Sequence, residues 1–127
     1  MATWKPQPED LQRVFDEQNP WHRTGSVPST LARIVERPLA RRLWQPLFND
    51  DPHRFQLVLG PRRVGKTTAL YQTVRHLLNN SIEPSRVWWL RLDHPLLLQE
   101  SLGDLIREVV TTANATPDRP AFLMLDE

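Results

Sequence analysis

Apolar positions recur three and four residues apart through the first part of the chain, then bunch into short unbroken runs. In PEDLQRVFDEQ (8–18), Leu11, Val14 and Phe15 share one side of a helix, with Glu9 and Asp10 in its first turn, where acids complement the helix dipole. Asn19-Pro20 ends that pattern, and NPWHRTGSVPS reads as a linker of turn formers. A short helix is predicted from Ser29, carrying Leu31, Ile34 and Val35. Pro38 breaks or restarts it, because proline is tolerated there only as the first residue of a new helix. Leu39, Leu43, Trp44, Leu47 and Phe48 continue at helical spacing until NDDP closes the region.

After His53 the pattern changes. FQLVLG (55–60) predicts a buried strand ending in glycine, and Leu70, Val74, Leu77 and Leu78 predict a helix closed by Asn79-Asn80. RVWWLRL (86–92) is a second strand with almost no polar alternation, as expected where both faces of a parallel sheet are covered. Ser101 is placed to cap a helix carrying Leu102, Leu105, Ile106, Val109 and Val110, with Asp104 as its capping partner. Pro117 to Pro120 make a turn, and AFLML (121–125) is a third strand. The alternation of strands and helices predicts an α/β layer with parallel strands. The expected organisation is a helical lead-in and linker over 1–54 and an α/β part over 55–127. There is no internal repeat.

The motif that carries chemistry is GPRRVGKTT, made of Gly60, Pro61, Arg62, Arg63, Val64, Gly65, Lys66, Thr67 and Thr68. It satisfies G-x-x-x-x-G-K-[ST] between a predicted strand and a predicted helix, as a phosphate-binding loop requires. The chain must turn abruptly while its N–H groups converge on an anion, which demands glycine where φ is positive. The helix then presents its own unsatisfied N–H groups to the same anion. Lys66 supplies a compact charge that reaches the β- and γ-phosphates, where an arginine fork would be bulkier. Thr67 offers a hydroxyl to Mg²⁺, an ion that prefers oxygen ligands.

Composition narrows the field. The chain of 127 residues is one domain or part of one, and 39% hydrophobic with 24% charged residues suits a soluble globular protein. No apolar run approaches the roughly 20 residues of a membrane span, and the N-terminus lacks the apolar stretch of a secretory signal. The absence of cysteine excludes disulfides and thiolate metal sites and fits a cytoplasmic setting. A net charge of +1 excludes a global basic field. Fourteen arginines stand against two lysines, a compositional habit, yet one of those lysines is Lys66.

The run FLMLDE ends in Asp126 and Glu127. An apolar strand ending in aspartate resembles the second half of a phosphate-loop site, where that carboxylate holds the Mg²⁺ shell. GPRRVGKTT followed by FLMLDE resembles the AAA+-type P-loop ATPases of bacteria and archaea, closest to a group whose loop reads GPRxVGKTT and whose aspartate strand ends LDE. Signal-transduction P-loop ATPases use a nearly identical loop. The resemblance covers residues 55 to 127 and implies a three-layer parallel sheet built on the three strands. It implies that Gly60 to Thr67 cradle phosphate, Thr68 approaches the α-phosphate, Asp126 serves Mg²⁺ and Glu127 activates the attacking water. The strand lying between the phosphate-loop strand and the aspartate strand would follow Glu127, as would the sensor and arginine-finger residues. On that ground the sequence is expected to be an N-terminal fragment, poorly soluble and with little ATP turnover alone.

Other residues have plainer readings. Arg62 and Arg63 read as solvated, the alternative being phosphate or partner contact. Trp88 and Trp89 read as core rather than as a base-stacking platform. The four histidines lack ligand spacing. RPLARRLW (37–44) reads as a solvated helix face, although in the ATPases it resembles this region lies near the adenine. The expected function is Mg²⁺-dependent ATP hydrolysis coupled to a protein or nucleic-acid partner, with a possible homo-oligomer and no membrane. The alternatives are a slow signalling switch and a non-hydrolysing nucleotide-binding module.

Overall fold

The computed structural model describes residues 7–33, 35–47 and 65–126. Along the chain these form α1 (Pro8–Gln18), α2 (Trp21–Thr24), α3 (Ser29–Ala32), α4 (Pro38–Leu47), α5 (Lys66–Asn79), β1 (Val87–Arg91), α6 (Leu102–Ala113) and β2 (Phe122–Asp126). The expected strand over 55–60, together with Ile34 and Phe48, lies outside the described residues. The chain divides into two compact units, one of residues 1–25 with 83–127 and one of residues 26–82.

In the first unit β1 and β2 pair in parallel, with Val87 opposite Phe122 and Arg91 opposite Asp126. Val87, Trp88, Trp89 and Leu90 are all buried, which is why β1 shows no alternation of polar and apolar residues. Trp88 and Leu90 meet Val14 and Phe15 of α1 and Leu105, Val109 and Ala113 of α6 in one core. The Phe15 and Trp88 rings meet edge to face at 5.5 Å, an arrangement that favours the positive ring edge over the negative face. Both tryptophans are therefore core residues.

The outer edge of β1 is closed by side chains. Asn19 Oδ1 accepts from the Trp89 N–H at 2.6 Å, while its Nδ2 donates to the Phe15 carbonyl at 2.8 Å. Trp21 Nε1 and His22 Nε2 donate to the Val87 carbonyl at 2.7 and 2.8 Å. Gln18 accepts from the Arg91 N–H at 3.1 Å. The stretch after Asn19 is thus not a plain linker. Its turn formers allow a one-turn helix, ended by Gly25 in the left-handed conformation, that aims Trp21 and His22 at strand backbone.

Burial holds the His22 imidazole below its ordinary range, against the Val87 carbonyl and Asp16, which both favour the charged form. The fold therefore prefers neutral His22, whereas the unfolded chain takes up a proton near pH 6.5. This contribution is complete above that pH and is lost as pH falls below it toward the folded-state value. His22→Gln keeps a donor for Val87 but does not titrate. Between pH 7.5 and 5.5, thermal melting should show the parent losing stability relative to this variant. A gap that stays constant with pH would rule the effect out.

On α6 the expected cap is half made. Ser101 Oγ accepts from the Asp104 N–H at 3.1 Å, but the Asp104 carboxylate turns to Arg107 at 2.9 Å. Only one of the two apolar stripes on α6 enters the core. Leu102, Ile106 and Val110 remain 48%, 39% and 44% exposed.

In the second unit Ala40 and Leu43 of α4 pack on Ala69 of α5, with Leu39 and Leu70 around them. Gln72 of α5 is buried and fully used. Its Nε2 donates to the Ala32 and Val35 carbonyls at 2.7 and 2.8 Å, and its Oε1 accepts from the Arg37 N–H at 2.8 Å. Three backbone groups of the 32–37 stretch thus bind one side chain instead of each other. The helix expected over Leu31 to Val35 accordingly stops at Ala32, Arg33 adopts φ 59°, and Val35 is 80% exposed rather than core.

Candidate functional site

The site begins where α5 begins. Gly65 has φ 86° and ψ 17°, the left-handed conformation that glycine adopts without penalty. Its carbonyl accepts from the Ala69 N–H at 2.9 Å, closing the first turn. Lys66 is the first residue of α5, half-buried, with exposed Thr67 and half-buried Thr68 after it. The N–H groups of such a first turn have no partner within their own helix and point, with the positive end of the dipole, toward an incoming anion. Buried Ala69, Val74 and Leu77 fix the helix from behind. Gly60, Pro61, Arg62, Arg63 and Val64 lie outside the described residues.

Asp126 closes β2 in the other unit. Its register with Arg91 and a 2.9 Å bond from the Leu92 N–H to its carbonyl hold the strand end, and its side chain is half-buried. The carboxyl ends of parallel strands are where open α/β sheets bind ligands. Glu127 lies outside the described residues.

One feature of the second unit escaped the sequence reading. The Arg37 guanidinium rests on Gly65, so that a Cβ built there would stand 2.7 Å from its Cζ and Nη1 and 3.0 Å from its Nε. Arg41 and Arg42 are exposed on α4, as a solvated helix face requires. Arg37 departs from that face because the chain turns at Pro38. Residues 26–82 carry nine arginines and lysines against Glu36, Asp50 and Asp51, a local surplus hidden by the near-neutral whole.

The family model described as AAA domain matches residues 52–127. The chain belongs to this family. Comparison with curated proteins returns no match, and neither does comparison with solved structures. AAA-domain membership brings a nucleotide-binding, ATPase-type function, and such domains generally bind ATP with Mg²⁺. The parallel β1–β2 pair flanked by helices agrees with the α/β architecture of that family. The matched stretch contains the whole GPRRVGKTT sequence as well as Asp126 and Glu127. Among the described residues, no helix is long and apolar enough to cross a membrane.

Proposed function

We propose that this AAA domain binds ATP at Gly60–Thr68 and that the protein carrying it hydrolyses ATP, coupling turnover to a protein or nucleic-acid partner. The observation that supports this reading most directly is Gly65 in the left-handed conformation with Lys66 and Thr67 opening a packed α5. In this reading Gly60 to Gly65 wrap the β-phosphate with backbone N–H groups, Lys66 pairs with the β- and γ-oxygens, and Thr68 meets the α-phosphate. Thr67 and Asp126 supply a hydroxyl and a carboxylate, the hard oxygen donors that Mg²⁺ accepts. Bound there, Mg²⁺ would neutralise charge on the phosphates. Glu127 orients and polarises the attacking water. The 55–60 segment contributes a third strand to the three-layer parallel sheet, and self-association of the domain belongs to the same proposal.

Lys66→Ala removes a charge-assisted contact worth about 1.5–3 kcal/mol, or roughly ten- to a hundredfold in affinity. Calorimetric titration with MgATP measures the change. Equal affinities for parent and variant would remove the phosphate-loop assignment.

A further inference from the structure

The backbone of Arg37 is held on two sides. Its N–H donates to the buried Oε1 of Gln72 at 2.8 Å, and Pro38 restricts it to an extended conformation before α4 begins. Gln72 lies on the same helix as Lys66, so a rigid element connects the placement of Arg37 to the start of the phosphate loop helix. The side chain that results lies across Gly65. Among the described residues no carboxylate pairs with its guanidinium.

This is an unfavourable place for a cation. The first turn of α5 carries the positive end of the helix dipole, Lys66 is the next residue after Gly65, and the surrounding segment already has a surplus of positive charge. Like charges at such separations repel. An anion between them reverses the sign of every term. A guanidinium brings five donors in a planar fork that matches phosphate oxygens, whereas Arg41 and Arg42, a turn further on, have no comparable placement.

We propose that Arg37 is a phosphate-binding residue of this site, moving from the face of Gly65 onto the polyphosphate of the bound nucleotide. The inference rests on the ATP-binding reading and adds a ligand from outside the loop motif. It also assigns Gln72 a positioning role, as the residue that keeps Arg37 at the loop.

The test is titration of the full chain with MgATP and, in competition, with inorganic tripolyphosphate, for the parent and for Arg37→Ala, Arg37→Lys, Arg41→Ala and Lys66→Ala. Arg37→Ala should weaken both ligands roughly ten- to a hundredfold. Arg37→Lys should recover part of the loss, and Arg41→Ala should match the parent. Melting temperatures without ligand should be no lower for the Arg37 variants than for the parent, because the side chain is exposed and faces like charge. Parental affinities in Arg37→Ala alongside a weakened Lys66→Ala would overturn the inference and leave the phosphate loop standing. Weakened ATP with unchanged tripolyphosphate would overturn it too, by moving the contact to base or sugar. A parent that binds neither ligand would remove the nucleotide reading, and this inference with it.

Discussion

Replacing Glu127 with glutamine is expected to leave ATP binding at the parental level and to slow turnover roughly 10²–10⁴-fold, the usual contribution of a positioned general base. The amide keeps the shape of the carboxylate but cannot draw a proton from the attacking water. Asp126→Asn should behave differently, weakening Mg²⁺-dependent binding and turnover together, because its proposed role is exercised before the chemical step. The register with Arg91 and the bond from Leu92 both use the backbone of Asp126, so these two holds on the strand survive the substitution. Phosphate release at saturating ATP, measured beside binding in the protein that carries this sequence, separates the two acids. A parental rate in Glu127→Gln would reduce Glu127 to an acid at a strand end.

The second large effect is on folding. Asn19→Ala should lower stability by about 1–3 kcal/mol, since it strips the partner from a buried backbone group. That cost corresponds to roughly 5–10 °C in Tm for a chain of this size. Asn19 is fully buried and bridges the last turn of α1 to the middle of β1, with bonds of 2.8 Å to Phe15 and 2.6 Å to Trp89. Alanine removes the Oδ1 that accepts from the buried Trp89 N–H. Arg42→Ala, an exposed truncation on α4, serves as the control and should melt with the parent. A Tm for Asn19→Ala within a degree of that control would mean that the bridge contributes nothing.

Local periodicity made most of the fold legible. The bounds of α1, α4 and α5 and the pairing-competent runs of β1 and β2 follow from apolar spacing, proline placement and asparagine stops that act within a few residues. What the sequence concealed was long-range. Asn19, Trp21 and His22 looked like turn residues because their partners, Val87 and Trp89, lie some seventy positions away in the chain. Gln72 sits among apolar residues of α5 and carries no local sign that it will bind three backbone groups at 32–37. The same effect misled the reading of Leu31 to Val35, where a tertiary hydrogen bond outcompeted a weak helical pattern. On α6 both apolar stripes fit the helical period equally, and the facing elements decide which is buried. At the candidate site, the loop glycine and Lys66 were readable from spacing alone. Arg37 was not, because its nearness to Gly65 depends on how Gln72 holds the chain.

The side chains along β1 give the sheet a direction of growth. Main-chain groups at Val87, Trp89 and Arg91 are already saturated by Trp21, His22, Asn19 and Gln18, so a newcomer there would have to displace four partners. Natural proteins often protect an edge with proline, lysine or a bulge; this one uses side chains borrowed from a neighbouring helical turn. Among the described residues, the side of the pair beyond Phe122–Asp126 has no such row of side-chain bonds to displace, so an additional strand is expected there. It would then run alongside Asp126, so widening the sheet on that side also brings new groups toward the carboxylate.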